Sequence, residues 1–135
     1  METIRIDYLG DLRTKAKHLQ SGSEFITDAP SDNQGKGEAF SPTDLLATSL
    51  GTCAITTIGI AARTHGFSID GSQVRVTKIM ASEPRRVGEV IVELIFPAMN
   101  YSEKQKEIIR RAAEYCPVNR SLSPELKQTF IYTFL

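Results

Sequence analysis

The chain opens on alternation. Residues 3–9 (TIRIDYL) place apolar and polar side chains in turn and predict a strand. Gly10-Asp11 marks a turn. Residues 12–19 (LRTKAKHL) alternate again, with Leu12, Thr14, Ala16 and His18 on one face and Arg13, Lys15 and Lys17 on the other. The two runs read as a hairpin. After a turn at Ser21-Gly22-Ser23, Glu24–Thr27 predicts a short strand. Asp28-Ala29-Pro30 and the run SDNQGKGEA then make a polar loop of about ten residues, long for a compact domain and of the kind that carries function.

The pattern changes at Ser41. Ser41 suits a helix N-cap, Pro42 the first helical position, and Asp44 places a carboxylate near the positive helix end in a capping-box-like spacing. No charge follows until Arg63. Leu45, Leu46, Leu50, Ile55, Ile58 and Ile60 point around most of the helix, which predicts burial on all sides. An uncharged run of roughly 18–20 residues is long enough to span a membrane. Its many small and polar residues (Thr48, Ser49, Gly51, Thr52, Thr56, Thr57, Gly59) make it a weakly hydrophobic span, and the favoured reading is a central core helix. A domain of this size has difficulty surrounding such a helix, so an intertwined homodimer is expected.

Alternation returns in Gln73–Ser82 and Glu89–Phe96, joined by the turn EPRRVG. Ser102–Tyr115 has helical spacing, with Ser102 as N-cap and Ile108, Ile109, Ala112 and Ala113 on the apolar side. Cys116-Pro117 begins a short helical turn, and Lys127–Leu135 ends as a strand. The order is βββ–α–ββ–α–β, an α+β pattern with mostly antiparallel strands in a single domain over residues 1–135.

Composition narrows the function. Sixteen basic and sixteen acidic residues cancel, without the basic excess of a nucleic-acid binder. The first residues show no signal-peptide pattern, so a cytoplasmic location is the default expectation. Two cysteines without a CxxC, and only two histidines, speak against structural zinc, and no metal or cofactor is expected. In a reducing compartment a permanent disulfide is disfavoured too. Two readings remain: inert buried thiols, which composition alone favours, or a redox pair. Cys53 lies about ten residues into its helix, roughly 15 Å from the N-terminus at 1.5 Å per residue. The helix dipole fades within the first turn, so a thiolate there needs an arginine from elsewhere. Cys116, at the start of a helical turn, is the easier thiolate on these grounds.

GEAFSPTDLLATSLGTC, followed by a strand hairpin and then CPVNRSL, resembles the OsmC/Ohr family of thiol-dependent peroxidases, and the similarity extends over SGSEFITDAP and the order of elements. The resemblance implies an OsmC-like two-layer fold: antiparallel sheets around a long buried helix, in a homodimer whose active sites draw on both chains. It implies that Cys53 is the peroxidatic cysteine, attacking the O–O bond of a hydroperoxide to become a sulfenic acid. Cys116 would resolve it as a disulfide, and an external dithiol reductant would restore both thiols. Family members selective for organic hydroperoxides line the site with apolar side chains, and this helix supplies such a wall.

Arg13 best matches the family's activating arginine, able to stabilise the thiolate and orient the peroxide. The organic-hydroperoxide branch orients that arginine with a glutamate where this chain has Thr43, so Glu38 or Asp44 has to substitute. Asp44 is more simply a helix N-terminal charge. Asn119 stands where relatives commonly carry His and cannot exchange protons near neutral pH. His18 and His65 receive no role, and Arg120 is either a pair for an acidic group across the dimer or a surface residue. The alternative to a peroxidase is a catalytically silent dimer of the same fold that binds a small apolar ligand. Neither reading calls for nucleic acid or membrane.

Overall fold

The computed structural model describes residues 1–135 and forms two compact units, Met1–Leu46 and Ala47–Leu135. The first is a three-stranded antiparallel sheet of β1 (Ile4–Gly10), β2 (Arg13–His18) and β3 (Glu24–Asp28), in that order. Directly paired residues share a face. Ile6, Ala16 and Phe25 lie side by side on one face, while Arg5, Lys17 and Glu24 lie on the other. The apolar face is open: Ile6 is 63% exposed, Tyr8 67% and Phe25 47%, around a buried Ala16. A turn of 3₁₀ helix at Ser31–Asn33 interrupts the polar loop after β3.

Helix α1 (Pro42–Thr64) begins in this unit with the expected cap. The Ser41 N–H donates to Asp44 Oδ2 at 3.0 Å, and the Asp44 N–H donates to Ser41 Oγ at 3.1 Å, a reciprocal capping box.

In the second unit β5 (Arg86–Phe96) lies between β4 (Gln73–Ala81) and β6 (Lys127–Phe134). Alternate residues of β5 (Val90, Val92, Leu94, Phe96) are completely buried. They share the core with Ala47, Leu50, Ala54, Ile58 and Ala62 of α1 and with Ile109 and Ala113 of α2 (Glu103–Glu114). The α2 N-terminus carries a full capping box between Ser102 and Gln105. Gly51 lets α1 and β4 come close, since a Cβ there would stand 2.7 Å from Val76 Cγ2.

Two features depart from the sequence expectation. The β5–β6 pairing is parallel, so the second sheet is mixed. The chain crosses between those strands through α2 and the five-residue α3 (Pro117–Ser121), the kind of connection a parallel pair requires. Within one chain, α1 is also not buried on all sides. Its buried residues form a stripe at helical spacing, while Thr52, Thr56, Ile60 and Arg63 are exposed. The helix has the length and composition of a membrane-crossing one, with mean hydropathy 1.7 over its most apolar window and a third of that window buried.

Candidate functional site

The sequence-nominated residues fall into two groups, one in each unit. In the first, Arg13 opens β2 and Asp28 closes β3, and the strand register sets them opposite one another. Gly10 pairs with Arg13 across the two-residue loop Asp11-Leu12, where both residues have positive φ, 53° and 63°. Such loops match the right-handed twist of a hairpin. Leu12 is tied down on both sides: its N–H donates to Tyr8 Oη at 3.2 Å, and its carbonyl accepts from the Ala29 N–H at 3.2 Å.

Two carboxylates meet the guanidinium. Arg13 Nη2 lies 3.4 Å from Asp28 Oδ2 and 3.2 Å from Glu38 Oε1. They differ sharply in surroundings, since the Asp28 side chain is 1% exposed and that of Glu38 59%. Asp28 Oδ2 also accepts the Glu38 N–H at 3.0 Å, whereas Oδ1 is buried with no hydrogen-bond partner. That Glu38 N–H, with Arg13 behind it, holds the Asp28 carboxyl below its ordinary range despite the opposing effect of burial. The Asp28 hydrogen bond in turn raises the Arg13 guanidinium. Asp44 is committed to the helix cap, and the hydroxyl of Thr43 pairs with that of Ser41 at 3.2 Å. Glu38 is thus the loop carboxylate beside Arg13.

In the second unit the fold brings the two cysteines together. Cys53, midway along α1, is half-buried, and Cys116, just before α3, is completely buried. The Cys53 thiol is a neighbour of the Cys116 thiol and raises it. Cys116 Sγ caps α3, accepting the Asn119 N–H at 3.4 Å. The expectation that Cys116 is the easier thiolate is corrected here. Burial pushes its thiol up, the Asn119 N–H only partly opposes this, and the neighbouring Cys53 raises it further. The helix start was legible in the chain, but the depth of the site was not.

Asn119 has a second engagement. Its side-chain Nδ2 donates to Gln128 Oε1 at 2.5 Å, and Gln128 Nε2 donates back to the Asn119 carbonyl at 3.0 Å. Arg120 lies over the Tyr115 ring at 4.7 Å. His18 is exposed and bonded to Ser21 Oγ, and His65 is exposed.

Sequence reasoning missed Asp28 and Gln128. Asp28 was recoverable: a turn at Ser21-Gly22-Ser23 that pairs Lys17 with Glu24 also pairs Arg13 with Asp28. Gln128 had no signal, because it meets Asn119 only through the crossover into β6. Chemically, the thiol pair can close to a disulfide, and the guanidinium can bind an oxygen anion or a thiolate.

Residues 35–130 match the family model described as OsmC-like protein. The chain belongs to the OsmC/Ohr family. Among solved structures, this OsmC-like chain is 52% identical to a protein from Psychrobacter arcticus named for osmotic stress induction and a detoxification response. The match covers 98% of this chain and 96% of that one at a TM-score of 0.93. An OsmC-like protein from Mycoplasma pneumoniae, 20% identical, aligns over 98% of this chain and 95% of that one at 0.81. An organic hydroperoxide resistance protein from Elizabethkingia anophelis, 14% identical, aligns over 100% of this chain and 98% of that one at 0.78. At that identity the last two share the OsmC fold. No curated protein matches the chain.

Proposed function

We propose that this OsmC-like chain is a cysteine-based peroxidase that reduces organic hydroperoxides to alcohols. The observation that carries the reading is the pairing of a half-buried Cys53 with a fully buried Cys116 from a distant part of the chain. The more open sulfur attacks the outer oxygen of ROOH. The O–O bond breaks, RO⁻ leaves and takes up a proton as ROH, and Cys53 becomes a sulfenic acid. Cys116 then attacks the Cys53 sulfur, the S–O bond breaks, a disulfide forms, and the hydroxyl leaves as water with the thiol proton. An external dithiol reduces the disulfide and closes the cycle in a cytoplasmic, reducing setting. Arg13 supplies the positive charge for the first step, and Glu38 is the second carboxylate on that arginine.

The reading includes a homodimer. The open faces on β1–β3 and on α1 give a second copy apolar surface to cover. Hydroperoxide resistance in relatives such as the Elizabethkingia anophelis protein supports organic hydroperoxides as the substrate class.

The test is a titration of reduced protein with cumene hydroperoxide and, separately, hydrogen peroxide, counting free thiols and weighing the intact chain. The expected result is loss of both thiols with a mass decrease of about two hydrogens, faster with the organic peroxide. Two thiols that persist through an excess of both oxidants would return the chain to the silent-fold alternative.

A further inference from the structure

We propose that the reciprocal amide pair Asn119–Gln128 positions Cys116 for its attack on oxidised Cys53, making Gln128 a positioning residue for the second chemical step and not the first. This rests on the peroxidase reading above.

The argument begins with α3. It has five residues and buries none of them, so neither length nor packing explains its order. Three local hydrogen bonds hold the turn: Asn119 N–H to Cys116 Sγ, Arg120 N–H to the Cys116 carbonyl, and Ser121 Oγ to the Pro117 carbonyl. None of these attaches it to the rest of the unit. The pair with Gln128 does, through two hydrogen bonds in opposite directions. Gln128 is itself fixed, since β6 pairs it with Val90 in the buried centre of β5.

Asn119 is the hinge of this arrangement. Its backbone N–H reaches the sulfur, and its side chain and carbonyl reach β6. When Cys116 attacks the Cys53 sulfenic acid, negative charge gathers on Cys116 Sγ as its proton leaves. A donor held in place stabilises that charge, and a fixed sulfur keeps the approach in line with the breaking S–O bond. Gln128 touches neither sulfur in this scheme and acts only through Asn119. The attack of Cys53 on hydroperoxide does not need it.

The experiment uses the full chain as wild type, Gln128→Leu and Gln128→Glu. One equivalent of cumene hydroperoxide is added to reduced protein. Peroxide loss reports the first step, and capture by a cyclic 1,3-dione with intact mass reports the lifetime of the sulfenic acid. In Gln128→Leu, peroxide loss should stay within about twofold of wild type while the sulfenic acid lives about tenfold longer, the scale of one lost hydrogen bond. Gln128→Glu keeps the acceptor for Asn119 Nδ2 and should fall between. An unchanged lifetime in Gln128→Leu, or equal slowing of both steps in both variants, would overturn the proposal.

A second arm needs no peroxide. Dithiobis(nitrobenzoate) forms a mixed disulfide on Cys53, and Cys116 then displaces the second thionitrobenzoate as the internal disulfide closes. Gln128→Leu should slow only that second release. Should wild-type protein consume no hydroperoxide, the peroxidase reading fails, and this release alone decides the role of Gln128.

Discussion

Arg13 and Cys116 are held by opposite physics. In the unit that contains Arg13, the buried residues are Ala16, Thr27, Asp28 and Ser41, three of them polar. Its geometry comes from strand register, the Thr14–Thr27 hydroxyl pair, and hydrogen bonds converging on the Asp28 carboxylate. In the unit that contains Cys116, the buried set runs from Ala47 of α1 through β5 to Ala113 of α2 and is apolar throughout. The thiol lies fully buried in that unit, and burial raises it. Charge changes should therefore damage the first group, slowing the chemistry while leaving both thiols in place, whereas the chemistry should be abolished outright only by loss of a thiol in the second.

The largest separation comes from the cysteines. Cys53→Ser should abolish peroxide consumption with the fold retained, as read by peroxide assay and circular dichroism. Cys116→Ser should allow one fast turnover and then stop, with intact mass showing an added oxygen on Cys53. If Cys116→Ser cycles steadily with a dithiol, the buried thiol is not the resolving one.

The charge cluster comes next. Arg13→Ala should slow the first step by about a hundredfold, the effect of losing one fixed donor to a developing anion. Stopped-flow loss of the first thiol measures it. Wild-type speed would separate the two groups functionally.

Asp28 sharpens the contrast through pH. Its folded pKa lies below the unfolded value. Its contribution to stability is therefore complete above the unfolded carboxylate value of about 4 and is lost as pH falls through the folded one. Asp28→Asn should flatten the loss of stability below about pH 4. Cys116 has the opposite sign: its folded value is raised, so its contribution is complete below the unfolded thiol value of about 8.5 and declines above it. Cys116→Ser should flatten the alkaline limb alone. Urea titrations across pH read both, and a variant that altered the other limb would break the comparison.

What could be read from the chain follows the same division. Local rules were legible: the alternation of β1 and β2, the Ser41–Asp44 and Ser102 caps, and the small residues of α1. Long-range partners were not. Asp28 reads as a turn residue before Ala-Pro until the register of β2 and β3 places it opposite Arg13. The parallel entry of β6 depends on a crossover that no residue pattern encodes, and Gln128 depends on β6. The ease of ionising Cys116 was judged from its place at a helix start, a local property, when burial decides it. The full burial predicted for α1 assumed covering surface on every side, and one chain covers a single stripe.

The smallest expected effect lies in the loop that delivers Arg13. Leu12 has φ of 63°, where a Cβ crowds the carbonyl, and it follows Asp11 at 53°. Asp-Gly is the preferred pair for this loop. Leu12→Gly should stabilise the chain by about 1 kcal/mol, the relief of the left-handed strain less the greater freedom of glycine when unfolded. The gain needs a side chain that buries little, and Leu12 is 46% exposed in the single chain. A second copy seated on that part of the sheet would reverse the sign, because the leucine would then be lost from an interface. Urea unfolding at low and high protein concentration distinguishes the cases. A gain at both assigns Leu12 to solvent, and a gain that turns to a loss as concentration rises places it under the partner.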